Sequence, residues 1–206
     1  MKINNASVSA ILNRNFNKND IAILINKGVI EQELIPLILN LITTRTRLQN
    51  LLRLYTYENS TLYLMNQDNN IAILQLSYGK DIKENDIIAG FEKIKNIAED
   101  VFRENIFTYE LSFSSIIERK LKQTPITLPS QFFTNPKIFG YRIISDIQDS
   151  EFDIRFKDIK EIILEPLLND IRQTFINVTY RDKSLNQDKI SSIFKETENI
   201  INAMCE

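Results

Sequence analysis

Between Thr61 and Asn105 the sequence sets out a unit that cannot stand alone: two short alternating runs around a polar turn, a charged link, then one long amphipathic helix. TLYLMN and IAILQLSY flank Gln67-Asp68-Asn69-Asn70, a cluster of residue types that tolerate tight turns. After Gly79, Asn85 or Asp86 is placed to cap a helix carrying Ile87, Phe91, Ile94, Ala98 and Val101 on one stripe. Such a stripe must be buried for the helix to persist. The same grammar returns from Ile162 to Cys205. Laying Asp68 on Asp170 and Tyr78 on Tyr180 brings FEKIKNI (Phe91 to Ile97) within one residue of FKETENI (Phe194 to Ile200). This self-similarity predicts a pseudo-two-fold duplication of a strand-turn-strand-helix unit.

The remainder is read around that pair. ASVSAILN alternates serines with apolar residues as a half-buried strand does, a short helix being the rival reading. DIAILINK ends at Gly28, which suits a strand end or a helix C-cap. From Glu33 to about Tyr55, the spacing of Leu34, Leu37, Ile38, Leu41, Leu48, Leu51 and Leu52 favours helix. Pro36 belongs in its first turn, with a break at Thr43-Thr44. IFTYELSFSSII, residues 106–117, reads as a long strand, and IFGYRIISDI and EFDIRF as later ones. EIILEPLL is expected at a sheet edge, because Pro166 cannot donate a ladder hydrogen bond, and TFINVTY is expected to pair with it. Ser184 and Gln187 have capping-box spacing before a stripe of Ile190, Ile193, Phe194, Thr197, Ile201 and Met204.

The expectation is one α+β domain over 1–206. It comprises an N-terminal mixed or helical segment (1–56), a first hairpin-helix unit (57–105), central strands with a loop at 123–137 (106–160), and a second hairpin-helix unit (161–206). The sheet is expected to be antiparallel, with about seven or eight strands and two long helices on one face.

Composition removes much chemistry. The 206 residues are 43% hydrophobic and 25% charged, as in an ordinary folded chain. A net charge of −2 argues against a surface that grips nucleic acid everywhere, though not against a local basic patch. The absence of histidine excludes His-based acid–base catalysis and most zinc sites. Cys205 is the sole cysteine, so no intrachain disulfide forms, which fits a reducing compartment. Four glycines and no Gly-rich turn leading into a helix argue against a phosphate-cradling loop. The N-terminus lacks the apolar core of a signal peptide, and no apolar run approaches the roughly 20 residues of a membrane span. The expected setting is cytoplasmic, with no membrane partner and no cofactor.

Several clusters are candidates for function. Residues 123–137 contain three prolines and no helical period. There Phe132 and Phe133, with Ile126 and Leu128, are the partner-binding candidates, folding of both rings onto the core being the alternative. Arg45, Arg47 and Arg53, with Arg14 and Lys18 upstream and Tyr55 and Tyr57 as stacking surfaces, would make a phosphate-tracking patch. The alternative is a solvated helix face. Asp146, Asp149, Glu151 and Asp153 resemble part of a calcium loop but lack its glycine and distal glutamate, so they read as the wet side of a hairpin and no metal is expected. Glu110 is expected to be exposed on the strand face opposite Tyr109 and Leu111. Cys205 is read as a thiol on a frayed terminus, with no fixed base to activate it.

The opening NASVSAILNRNF resembles the start of a sporadically distributed, functionally uncharacterised bacterial family. Its members begin with an Asn-Ala-Pro-like strand running into an aromatic residue. Their layout is similar: a hairpin with an acidic turn, an aromatic at its exit, a long helix, further strands and a C-terminal helix with a buried Phe. The matching residues here are Asn5-Ala6, Phe16, Asp68, Tyr78 and Phe194, with Ser7 standing where the family tends to have proline. The resemblance implies a fold and carries no activity.

The leading expectation is a non-catalytic binding or assembly protein that acts through protein–protein contacts of loop 123–137 and sheet edges, with homo-oligomerisation as an extension. The alternatives are a nucleic-acid-associated accessory protein using the Arg45–Arg53 region, and a histidine-independent enzyme using carboxylates.

Overall fold

A computed structural model describes residues 1–44, 51–67, 70–122, 137–139, 142–144, 159–167 and 170–206. Its strands are β1 (Asn5–Leu12), β2 (Leu51–Tyr57), β3 (Ser60–Gln67), β4 (Ile71–Tyr78), β5 (Ile106–Ile117), β6 (Lys137–Phe139), β7 (Arg142–Ile144), β8 (Ile159–Leu167) and β9 (Asp170–Asp182). Its α-helices are α1 (Lys18–Asn26), α2 (Ile35–Thr44), α3 (Glu84–Phe102) and α4 (Gln187–Met204). The strands form one sheet in the order β2-β3-β4-β1-β5-β9-β8-β7-β6, antiparallel at each pairing. Two of the nine, β6 and β7, are three residues long, which leaves seven longer strands. The α+β class and the antiparallel sheet are those expected.

ASVSAILN is a strand, and a central one. Its alternation places Ala6, Val8, Ala10 and Leu12 on one side and Ser7, Ser9 and Ile11 on the other, between β4 and β5. Both sides are largely buried, so β1 is less wet than a half-buried strand. The α3 stripe buries Ile87, Phe91, Ile94 and Ala98 as the spacing requires, with Phe102 rather than Val101 closing the last turn. In α4 the predicted stripe is buried together with Ile200. Phe91 meets Tyr109 edge-on at 5.4 Å between ring centroids, and Phe194 stacks on Phe113 at 4.5 Å. Tyr109 and Phe113 lie four residues apart on β5 and so share one face. Aromatic contacts of this kind add about 0.5–1.5 kcal/mol to the burial itself.

The segment 33–55 is the largest departure from expectation. A tight helical turn at Gln32–Leu34 leads into α2, with Pro36 in its first turn, and the helix ends at Thr44. Leu51–Tyr57 is instead a strand paired with β3, burying Leu52 and Leu54. Leu48, Leu51 and Leu52 fit a helical period, but so short an apolar run cannot distinguish the two periods. Here the free edge of the hairpin decided the outcome. DIAILINK resolves as helix: Asn17 caps α1 by accepting from Asn19 N and Asp20 N, and Gly28 follows at φ +66°.

Four smaller expectations are corrected. The N-cap of α3 is Lys83, and Asp86 acts from inside the first turn, its carboxylate accepting from Lys83 N at 3.0 Å. The cap of α4 is Asn186, which accepts from Lys189 N at 3.0 Å, while Ser184 turns back to Asp182. Strand β8 is not an edge strand, since β9 and β7 flank it. Its proline is tolerated because β7 pairs only with Glu161, Ile162 and Ile163, leaving Pro166 beyond that neighbour. Nor is Cys205 frayed. Leu121 and Cys205 form an antiparallel bridge, and Glu206 N donates to Lys120 O at 2.9 Å. Burial is the main cause pushing the Cys205 thiol up, so it stays protonated and inert at neutral pH.

No helix among the described residues is long and apolar enough to cross a membrane.

Candidate functional site

Strand β2 is the outermost strand at one end of the sheet, and its backbone is irregular where it matters. Arg53 pairs with Tyr63 but Tyr55 pairs with Leu62, so β2 carries one extra residue at Leu54. A bulge of this kind re-aims the side chains beyond it. Arg53 therefore shares the sheet face of Tyr63, while Tyr55 shares the face of the buried Leu62, beneath α3. Alternation sends Tyr57 the same way as Tyr55, and it is 64% exposed.

From α3, Lys93 Nζ donates to Tyr55 Oη at 2.7 Å and stands 4.0 Å from the centroid of that ring. Around this pair are two adjoining hollows that share Tyr55, Tyr57, Ala89 and Lys93. One, of about 320 Å³, lies between the β2–β3 turn and the start of α3, against Tyr78 and Gly90. The other, of about 840 Å³, continues toward Gly28, Glu31 and Ile97. Both fall in the size range of small-ligand and side-chain pockets.

Gly90 is what allows the smaller hollow its shape. A Cβ there would come within 1.7 Å of Tyr78 Oη, which donates to Asp86 O at 2.9 Å. Burial first, then the neighbouring Tyr55 and Asp86, push the Tyr78 hydroxyl up to about 12. At pH 7 it is a neutral donor. Gly90→Ala is expected to lower stability by about 1–2 kcal/mol in urea titration, even though alanine is the better helix former. Adding Tyr78→Phe should restore part of the loss, because the hydroxyl oxygen is the nearest obstacle. Two simply additive losses would show that Tyr78 does not lie over Gly90.

The rim is acidic. Glu58 and Asp81 hold left-handed backbone at φ 46° and 62°, and Asp81 pairs with Lys2 at 2.7 Å. The site thus combines three tyrosines, carboxylates, the ammonium of Lys93 in its wall and that of Lys2 at its rim. Such a set binds cations and hydrogen-bonding groups, but it contains no nucleophile with a partnered base. Among the described residues, no three side chains of His, Cys, Asp or Glu are grouped to hold a metal ion.

No family model matches the chain, and no curated protein matches it.

Of the residues singled out in the sequence, Phe132, Phe133, Ile126, Leu128, Arg45 and Arg47 lie outside the described residues, as do Asp68 and the turn from Asp146 to Asp153. Arg53 is exposed on a strand rather than a helix, on the face away from Tyr55. Arg14 is engaged by Asp20 at 2.7 Å. The structure therefore does not bring Arg53 or Arg14 together with the two tyrosines. Glu110 does face away from Tyr109 and Leu111, yet it is not left to solvent. Arg181, directly opposite on β9, binds it at 2.6 Å, with the two side chains 21% and 14% exposed. Tyr78, Gly90 and Lys93 were missed. The usable signal was Gly90, a glycine inside an otherwise strong helical stripe, which marks a close approach.

A second polar cluster closes the other half of the sheet. Asp182 accepts from Tyr180 Oη at 2.8 Å, Lys189 Nζ at 2.6 Å and Ser184 N at 2.7 Å. Burial pushes its carboxyl up, but the bonds from Lys189, Ser184 and Tyr180 outweigh this and hold it well below the usual carboxylate range. A depressed pKa means stability that is present above the unfolded value near 4 and lost as pH falls through the folded value. Asp182→Asn should lower the melting temperature at pH 7 and flatten its decline between about pH 5 and pH 2. An unchanged acid slope would remove Asp182 from the account.

Proposed function

We propose that the protein is a non-catalytic cytoplasmic binding module that takes a polypeptide partner at the β2 end of its sheet. The observation that carries this reading is the distribution of exposed apolar side chains. Of the seven large ones that are exposed among the described residues, Leu37, Leu39, Leu51 and Tyr57 fall on α2 and β2. The segment that leads into α2 meets β2, since Glu31 N donates to Leu54 O at 2.8 Å. Leu51 follows the face of Arg53 and Tyr57 that of Tyr55, so exposed apolar side chains lie on both faces of the terminal strand at this end of the sheet, a form suited to a partner that clasps the edge.

A photo-crosslinking amino acid at Tyr57, used in the producing cells, tests this. One dominant polypeptide adduct is expected, and it should disappear with Leu37→Asp/Leu39→Asp while the melting temperature holds. A doubled 24.1 kDa mass would identify a second copy as the partner. Labelling without any polypeptide adduct would overturn the reading.

We further infer that the chain is a tandem duplication, with a larger unit than the sequence match alone covers: a lead strand, a meander of three strands and a helix. The sheet order supports it, since β2-β3-β4-β1 runs inward from one end and β7-β8-β9-β5 runs inward alike on the other side, with the short β6 outside β7. Burial supports it too. Leu62, Leu64, Leu74 and Leu76 correspond to Ile162, Leu164, Ile176 and Val178, all buried. Ile87 and Phe91 correspond to Ile190 and Phe194. The pseudo-axis would pass between β1 and β5 at the Ser7–Ser112 pair. Membership of the bacterial family that the N-terminus resembles is proposed on the same layout, with Tyr78 at the hairpin exit and Phe194 buried in the last helix.

A further inference from the structure

We propose that the smaller hollow, walled by Tyr55, Tyr57 and Tyr78, receives the ammonium or guanidinium group of a basic side chain carried by the partner polypeptide. This rests on the binding reading above and names the chemistry of one contact within it.

Charge and ring faces argue together. Glu58, Asp81 and Asp86 line the hollow with one lysine, Lys93, in its wall; a second, Lys2, pairs with Asp81 at 2.7 Å from the exposed rim, so the carboxylates still outnumber the ammonium groups three to two. Tyrosine faces attract cations through the ring quadrupole, most strongly where water is partly excluded. Tyr55 already does so in this structure, with Lys93 Nζ 4.0 Å from its centroid. Tyr57, 64% exposed, presents a further ring with much of its surface open to a ligand.

The other half of the sheet supplies an internal comparison. Tyr180 stands on β9 opposite Lys160 of β8, whose Nζ is 5.6 Å from its ring centroid. Lys189, the third residue of α4, binds Asp182, the carboxylate that Tyr180 also holds. Tyr78 stands on β4 opposite Ser60 of β3, and the third residue of α3 is Asp86. Where the second tyrosine is surrounded by the chain's own lysines, the first has a serine and a carboxylate. The seventh helix position differs in the same sense: Ile193 in α4, Gly90 in α3. One tyrosine site is thus filled from within and the other is open, acidic and hollow. Because the smaller hollow shares a wall with the larger one, a chain whose basic side chain enters the first has room to continue into the second.

The test is amide chemical-shift mapping on the full ¹⁵N-labelled chain. Three probes are used: a capped peptide with a central arginine, the same peptide with norleucine, and N-acetyl-arginine amide. Saturable shifts are expected at Ser60, Gly90 and Lys93 with the arginine peptide, and no comparable shifts with the norleucine peptide. The single amide should bind about tenfold more weakly, since it lacks the neighbouring backbone. Glu58→Gln/Asp81→Asn, both on exposed residues, should weaken the arginine peptide about fivefold while leaving the rest of the spectrum in place. Equal shifts from norleucine would make the hollow merely apolar and overturn the proposal. Equal affinity for the single amide would make it a small-cation site and overturn the polypeptide occupant. An absence of shifts would overturn the cation chemistry altogether, while a Leu37/Leu39-dependent crosslink at Tyr57 would keep the binding reading intact.

Discussion

An Ile94→Lys variant is expected to lose its cooperative thermal transition at pH 7, because Ile94 is fully buried at the middle of the α3 stripe. Burying an isoleucine is worth about 1.5–3 kcal/mol, and that contribution disappears. The lysine must then leave its ammonium unpaired in an apolar layer, or give up its proton there, and either course costs several kcal/mol more. The sum, about 5 kcal/mol or above, is comparable with the whole stability of a domain this size. Ile87, Phe91 and Ala98 share the stripe, so no short path leads the side chain back to water. Circular dichroism during heating reads the outcome. Asn96→Lys, two residues on and exposed, is the matched control and should shift stability by no more than about 0.5 kcal/mol. A folded Ile94→Lys protein would mean that α3 presents a different face to the sheet.

Asp20→Ala is the second large effect, at about 3 kcal/mol. Its side chain is 5% exposed and does two things at once. It accepts from Arg14 Nη1 and Nη2 at 2.7 and 2.8 Å, and from the Asn17 N–H at 2.8 Å. Alanine therefore strands a guanidinium that is 29% exposed and lies 5.7 Å from the centre of the Phe102 ring. It also leaves the first turn of α1 without half of its reciprocal cap. Asp20→Asn keeps an acceptor but not the charge and should lose about half as much. Arg14→Leu/Asp20→Leu should be less damaging than Asp20→Ala alone, since removing both charges leaves none unpaired. Denaturant titration of the three variants decides it. Equal stability of Asp20→Ala and the wild type would show the pair to be solvated.

How legible these features were varied with the physics behind each. The stripes of α3 and α4 were readable because a helix repeats its contact every three or four residues over many turns. Strands β3 and β4 were readable because a polar turn separates two alternating runs, and β5 because its run extends over 12 residues. Strand β2 was not, since LLRLYTY follows a helix of similar composition and its pairing partner lies downstream in the sequence. Caps were missed by two or three residues, as local spacing permits several cap candidates and packing selects among them. At the candidate site, Tyr55 and Tyr57 had drawn attention as stacking surfaces for the arginines, but the bulge at Leu54 turned them to the other side of the sheet from Arg53.

By itself, then, the sequence determined which faces must be buried, and so an α+β chain built on an antiparallel sheet. It also excluded histidine chemistry and intrachain disulfides, because those require residues that are absent. Both kinds of information are local or compositional. Tertiary structure alone decided that Tyr78 lies over Gly90, that Lys93 covers Tyr55, and that Glu110 finds Arg181. Each of those contacts joins residues whose distance in space is set by strand order, register and a single bulge. A one-residue change of register turns every side chain of a strand to the opposite face, and no local pattern in the chain carries that choice.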